Sequence, residues 1–220
     1  MGVRVAVVTP HFREPREWFQ QCLDSVRDQT YPCTHIIVND GAERGPDDSD
    51  RVQVIELPVS LGYIGDPARA IGSVSAVAQG FDAIAWLDAD NWYSPNHIES
   101  LVHLHRDTGA AVLTSHRYLH RLDGGQLGPC PETDGTNFAD TSSMLITREA
   151  FGVIPTWFLM EPKYHPIGDR MIWNYITDNS LSRAHSGLMT LHYRTAWRFH
   201  YEHFGLEPPT YGTKESQFID

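Results

Sequence analysis

A chain of 220 residues, 41% hydrophobic and 20% charged, has the makeup of an ordinary globular protein, long enough for one well-buried core and short for two. Its formal charge of -11 leaves no basic stripe for a nucleic-acid backbone, which argues against nucleic acid as a partner. No apolar run approaches the roughly 20 residues of a membrane span, and MGVRVAVVTP is wrongly ordered for a signal peptide, so a cytoplasmic protein is expected.

In chain order, Arg4 to Val8 (RVAVV) predicts a first strand that ends before Thr9-Pro10-His11-Phe12, because Pro10 cannot donate to a ladder. Trp18, Phe19, Cys22, Leu23 and Val26 then recur at helical spacing until Thr30-Tyr31-Pro32. His35 to Val38 (HIIV) predicts a second buried strand, delivering Asn39-Asp40-Gly41 into a turn followed by the polar run ERGPDDSD. Asp40 is an acid just beyond a strand, a position that also suits a plain turn residue. Val52 to Leu57 predicts a third strand and LGYIGD (61–66) a flexible loop. A helix from near Pro67 follows, with Ala68, Ile71, Val74, Ala76, Val77 and Ala78 as its packing face. Arg69 falls in its first turn, where the helix dipole disfavours a cation, which raises an anionic or aromatic partner as one reading and a solvated Arg as the other.

AIAWLDADNW (83–92) organises the rest. Ala, Ile, Trp and Leu without alternation predict a central strand covered on both faces, and ligands of open α/β sheets gather beyond the carboxyl ends of such strands. Asp88 and Asp90, two residues apart on extended backbone, are expected on one side, spaced to share a hard divalent cation, Mg2+ or Mn2+. The alternative is a solvated loop with Ser94 capping the next helix, Pro95 to Asp107, whose inner side carries Ile98, Leu101, Val102 and His105. The alternation to Gly109 predicts a mostly parallel central sheet flanked by helices, an α/β fold.

Beyond Gly109, Ala111–Ser115 and Arg117–Leu122 predict strands with a hairpin turn at Asp123-Gly124-Gly125, and GPCPETDGTN (128–137) is irregular. Ser142–Thr147 predicts a strand, Arg148–Phe151 a short helix, and an aromatic-rich loop leads to Ile167-Gly168-Asp169 and a helix with Asp169 as its cap. Leu188–Tyr193 predicts a last strand and Tyr201–Asp220 a loosely ordered tail. Three cysteines (22, 33 and 130) without a C-x-x-C pair predict free thiols, and none of the 12 histidines forms H-E-x-x-H. No G-x-G-x-x-G or Walker loop occurs.

The succession VAVVTPHF, SVRDQTYPCTHIIVNDG, ARAIG and AWLDADNW resembles family-2 glycosyltransferases, with their A-type nucleotide-sugar-binding fold, over about the first half of the chain. The resemblance implies one domain over 1–220, with a nucleotide-binding half (1–109), an acceptor-binding half (110–205) and a tail (206–220). It implies transfer of a sugar from a nucleoside-diphosphate donor to an acceptor hydroxyl, with a divalent metal, Mg2+ or Mn2+, on the diphosphate. Residue by residue it puts Thr9, Pro10, His11, Asp40, Asp66 and Arg69 beside the nucleotide, Asp88 on ribose or metal, Asp90 on metal and Asp169 as general base. Trp92, Trp157, Glu161 and His165 are candidates for the acceptor side. Pro10-His11-Phe12 departs from the aromatic or Asn-rich loop frequent in the family, and the Gln-x-x-Arg-Trp signature of processive members is absent.

Two other readings remain. A metal-dependent phosphohydrolase also uses Asp-x-Asp after a strand, but followed by Gly-Thr near the N-terminus, whereas here Asn91-Trp92 follow. A non-catalytic nucleotide-binding member would carry much the same sequence. A sugar nucleotidylyltransferase is disfavoured because TPHFREP lacks the glycine-rich loop that class needs.

Overall fold

The computed structural model describes residues 2–41, 49 and 51–215, so the polar run at 43–50, apart from Ser49, and the last five residues lie outside it. The first half alternates as expected: β1 (Val5–His11), α1 (Arg16–Arg27), β2 (Cys33–Asn39), β3 (Val52–Glu56), α2 (Asp66–Ala78) and β4 (Ala83–Trp86). β3, β2, β1 and β4 lie side by side in that order, all parallel. Then come β5 (Trp92–Tyr93), α3 (His97–Thr108), β6 (Val112–His120), β7 (Gln126–Pro129), β8 (Met144–Thr147), α4 (Thr156–Leu159), α5 (Gly168–Asp178), β9 (Arg183–Arg194) and α6 (Arg198–His203). They extend the same sheet as β4-β8-β6-β9-β5, with β7 on β6. β8 runs antiparallel to both β4 and β6, while β6 and β9 are parallel, so the sheet is mixed beyond its parallel first half.

Apolar residues on both faces of β1 and β4 explain why they are central. Val5, Val7, Ala83, Ala85 and Leu87 face α1 and α3 through Cys22, Val26, Ile98, Leu101 and Val102. Ala6, Val8, Ile84 and Trp86 face the other way, into a cluster with Trp157, Ile172, Trp173 and Ile176. On this second face α2 approaches closely: a Cβ on Gly72 would lie 2.5 Å from Val8 Cγ1. The buried side of α2 is therefore its small residues, Ala68, Ala70, Gly72, Ser73 and Ala76, and the expected packing residues Val74 and Val77 are turned to solvent.

Other expectations shift. Thr9, Pro10 and His11 belong to β1, with Pro10 opposite Val38. The proline is tolerated because β4 pairs with β1 only as far as Val8, leaving that side of the strand without a ladder. Residues 112–120 form one strand instead of two, 141–143 are a 3-10 turn before β8, and β9 is twice the predicted length. Ser94 bonds His192 at 2.9 Å instead of capping α3. The tail folds back: Lys214 N donates to Ala196 O and Arg198 N to Lys214 O, each at 2.9 Å. Among the described residues no helix is long and apolar enough to cross a membrane, and Cys22, Cys33 and Cys130 are free.

Candidate active site

A cleft of about 520 Å³ opens where β1, β2 and β4 end, between the parallel half of the sheet and the segment from β8 to α5. Pro10, His11, Asp40, Asp66, Arg69, Asp88, Asp90, Trp157, His165 and Asp169 all line it. Three expected residues do not. Thr9 is fully buried with its hydroxyl 2.8 Å from His35 Nε2, because strand alternation points it to the Val5 and Val7 side. Trp92 stacks flat on His192 with ring centroids 5.1 Å apart, and Glu161 is an exposed partner of Lys163 at 3.1 Å.

On the first wall, Asp40 is more than a turn residue. Its Oδ1 accepts from Leu61 N at 2.7 Å and its Oδ2 from Ser60 Oγ at 3.0 Å and Gly62 N at 3.2 Å, so the acid after β2 braces the loop that enters α2. That loop holds Ile64 in the left-handed region (φ 57°), a costly conformation for a β-branched residue, with its side chain exposed at the cleft. Gly65 follows at φ 78°, where a Cβ would meet Pro10 at 2.9 Å.

Arg69 is not solvated: it has both acids and an aromatic ring beside it. Arg69 NH1 donates to Asp66 and NH2 to Asp88, each at 2.5 Å, and its guanidinium lies 4.8 Å from the Trp157 ring centre. Asp66 Oδ2 is 2.7 Å from His165 Nδ1, so His165, Asp66, Arg69 and Asp88 form one chain across the cleft floor. Burial pushes the Asp66 carboxyl up, opposed by Arg69 and His165. A Cβ on Gly168 would lie 2.8 Å from Asp66 Oδ2, so only glycine lets α5 start this close to the chain.

Asp88 and Asp90 reach the cleft by a turn instead of extended backbone, with Asn91 N donating to Asp88 O at 3.0 Å. Asp88 Oδ1 is taken by Arg69. The Asp90 carboxylate accepts no hydrogen bond from the described residues, and burial together with Asp88 pushes it up to about 7. Carboxylate oxygens without a protein donor are what a hard divalent cation prefers, so Asp90, with Asp88 beside it held through one oxygen by Arg69, fits Mg2+ or Mn2+.

Across the cleft stands Asp169. Expected as the helix cap, it is instead the second residue of α5, two beyond the cap residue Ile167, and its Oδ1 accepts from Arg170 N at 2.7 Å. A helix N-terminus alone would keep it ionised at neutral pH. Burial, aided by nearby Asp140, outweighs that and pushes it up to about 7.

Behind it lies a buried group with no signal in the sequence. Arg117, 1% exposed, donates to Asp140 at 2.8 Å, to Cys130 Sγ at 3.0 Å and to Glu132 at 3.3 Å, beneath the ring of Tyr193, which lines the cleft. Burial would push the Cys130 thiol up, but His200 and Arg117 outweigh it and bring it down to about 7. Ligand atoms of Cys130, Glu132 and His200 lie within 4.8 Å of one another, the spacing of a metal site, but the guanidinium of Arg117 already supplies the cation there.

The profile of glycosyl transferase family 2 matches residues 6–167, about three-quarters of the chain. The chain belongs to that family. Comparison of this family-2 glycosyl transferase chain with curated protein sequences finds no match. Among solved structures it is similar to S. aureus TarS 1–349, with a TM-score of 0.62 and 12% identity over 87% of this chain and 60% of that one. TarS 1–349 in complex with UDP (TM-score 0.63, 10% identity, 88% and 61% covered) and with UDP-GlcNAc (0.60, 12%, 88% and 59%) match alike. The family-2 chain thus has the A-type glycosyltransferase fold, and it spans about 60% of the length of these TarS 1–349 chains.

Proposed function

We propose that this chain transfers a sugar, with inversion, from a nucleoside-diphosphate sugar to an acceptor hydroxyl, with Mg2+ or Mn2+ at Asp90 and Asp88. The observation that carries the reading is that one cleft holds Asp90, without a hydrogen-bond donor among the described residues and with Asp88 beside it, together with Asp169, whose carboxyl is pushed up to about 7. A cation bound at the pair would neutralise charge developing on the departing diphosphate. In this reading Pro10, His11 and Ile64 border the nucleobase, Asp40 fixes the loop beside it, and Arg69 orients Asp88. Trp157 and His165 shape the floor beneath the sugar. Asp169 takes the acceptor proton as the acceptor oxygen bonds to the sugar carbon, whose bond to the diphosphate oxygen breaks with the electron pair leaving on the diphosphate. A carboxylate near pH 7 suits this task, because it is both substantially ionised and basic enough to accept the proton. One displacement with the base opposite the leaving group inverts the centre.

The test is a thermal-shift panel of UDP, GDP, dTDP and CDP with and without Mn2+; UDP comes first because the TarS structures hold UDP and UDP-GlcNAc. Ligand at 100 times its Kd stabilises by about 2.7 kcal/mol, which in a chain of this length raises Tm by roughly 5–10 °C. At least one nucleotide should give a Mn2+-enhanced shift, and Asp90→Ala should remove the enhancement. No shift with any of the four refutes the proposal.

A further inference from the structure

Seven carboxylates line the cleft, against two Lys or Arg side chains among the described residues, Arg69 and Lys214. Arg69 is spent on Asp66 and Asp88. Lys214 makes no ion pair with a described residue, and its charge acts on Asp90. It stands in the chain segment after α6, where sequence periodicity signals nothing, but three contacts fix it. Two backbone hydrogen bonds of 2.9 Å hold it alongside Trp197. Arg198 grips Glu215 with two parallel bonds of 2.6 and 2.9 Å, and Lys214 Nζ lies 5.1 Å from the Trp197 ring centre. Trp197 is itself 8% exposed and tied to Thr195 through its backbone N–H, so the platform is anchored. A lysine held by such a latch at the mouth of an acidic cleft, in no ion pair with a described acid, is placed to meet an anion.

We propose that Lys214 binds phosphate oxygens of the donor and that the latched tail completes the active site. The proposal rests on the nucleotide-sugar reading, but its core is an anion site that can be probed without a nucleobase. The first probe is inorganic pyrophosphate with Mn2+. The second is UDP, GDP, dTDP and CDP with Mn2+, each beside its nucleoside, all by calorimetry on the full chain.

Lys214→Ala should weaken pyrophosphate and the bound nucleoside diphosphate by on the order of tenfold, and leave the nucleoside unchanged, because a charge-assisted hydrogen bond to phosphate is lost. Lys214→Arg should retain most of the affinity, and Arg198→Ala, which opens the latch without touching the ammonium, should share part of the loss. Lys214→Ala binding both phosphorylated probes like wild type overturns the proposal. Equal losses for nucleoside and diphosphate also overturn it, since the tail would then act only on fold. Lys214-dependent binding of pyrophosphate with no binding of any nucleotide upholds the anion site and removes the nucleotide-sugar reading. Failure of wild type to bind either probe removes both.

Discussion

Replacing Asp169 by Asn separates a general base from a structural carboxylate, because the carboxyl's displacement to about 7 ties activity and stability to pH in opposite directions. The folded state holds the Asp169 proton up to about pH 7, whereas the unfolded chain releases it near 3.8. Its folded pKa is raised, so its contribution is greatest in acid, is lost as pH rises from about 4 to 7, and is flat above. Linkage over that displacement makes the wild type lose about 2.5 kcal/mol of unfolding free energy from this group between pH 5 and pH 8. Asp90 adds a loss of the same sign, but it is present in the variant too and cancels in the comparison. Urea unfolding at the two pH values should therefore show Asp169→Asn with the shallower decline by roughly 2–3 kcal/mol. In transfer assays with the donor identified by binding, the wild-type rate should climb through pH 7, while the Asn variant should lose on the order of 10²–10⁴ in rate and keep its nucleotide affinity. Near-normal turnover in Asp169→Asn would refute the assignment, and so would equal pH dependence of stability in the two proteins.

Asp66→Ala should lower unfolding free energy by about 3–5 kcal/mol in urea titration, because it leaves Arg69 buried with half its counter-charge gone and His165 Nδ1 without its partner. A loss below 1 kcal/mol would mean that the charge chain on the cleft floor is not a unit. Asp40→Asn keeps one acceptor oxygen and turns the other into a donor facing Ser60 and Gly62. It should weaken nucleoside diphosphate more than pyrophosphate in calorimetry, and equal losses would separate the brace from the nucleobase.

The parallel half of the fold was legible because β1, β2 and β4 are apolar on both faces, and each hands the chain to a polar residue at its carboxyl end. Asp40, Asp88 and Asp90 could be picked out by that handover alone, and Arg69 by its misfit with a helix dipole. Thr9 reads as cleft-lining because Pro10 signals a loop, whereas β1 continues through it and strand alternation puts it with Val5 and Val7. The outward valines of α2 were unreadable for a tertiary reason: Val8 and Val38 occupy the space a larger residue would need. Arg117 carries no local signal at all. Its buried charge makes sense only beside Asp140, Glu132 and Cys130, which reach it from loops 13 to 23 residues away. Lys214 is placed by main-chain bonds to residues 196 and 198, which no side-chain pattern announces.

On the proposed reading, one cleft assigns two tasks to the same side chain, at Asp90 and at Asp169. Both carboxyls are pushed up to about 7, in each case by burial first and a neighbouring acid second, Asp88 for one and Asp140 for the other. What differs is the company each keeps. Asp90 has no hydrogen-bond donor of its own among the described residues and feels Lys214 and Arg194 only at a distance, so any dication arriving there competes with a loosely held proton for free oxygens. Asp169, which lines the cleft, is steadied by the Arg170 N–H on its Oδ1 and by the field of Arg117. On that reading, a group whose proton is displaced by a cation and a group poised to accept one would be the two halves of a transfer that moves a proton off an acceptor and stabilises an anion on a leaving group. Burial raises both, and the neighbours divide the labour.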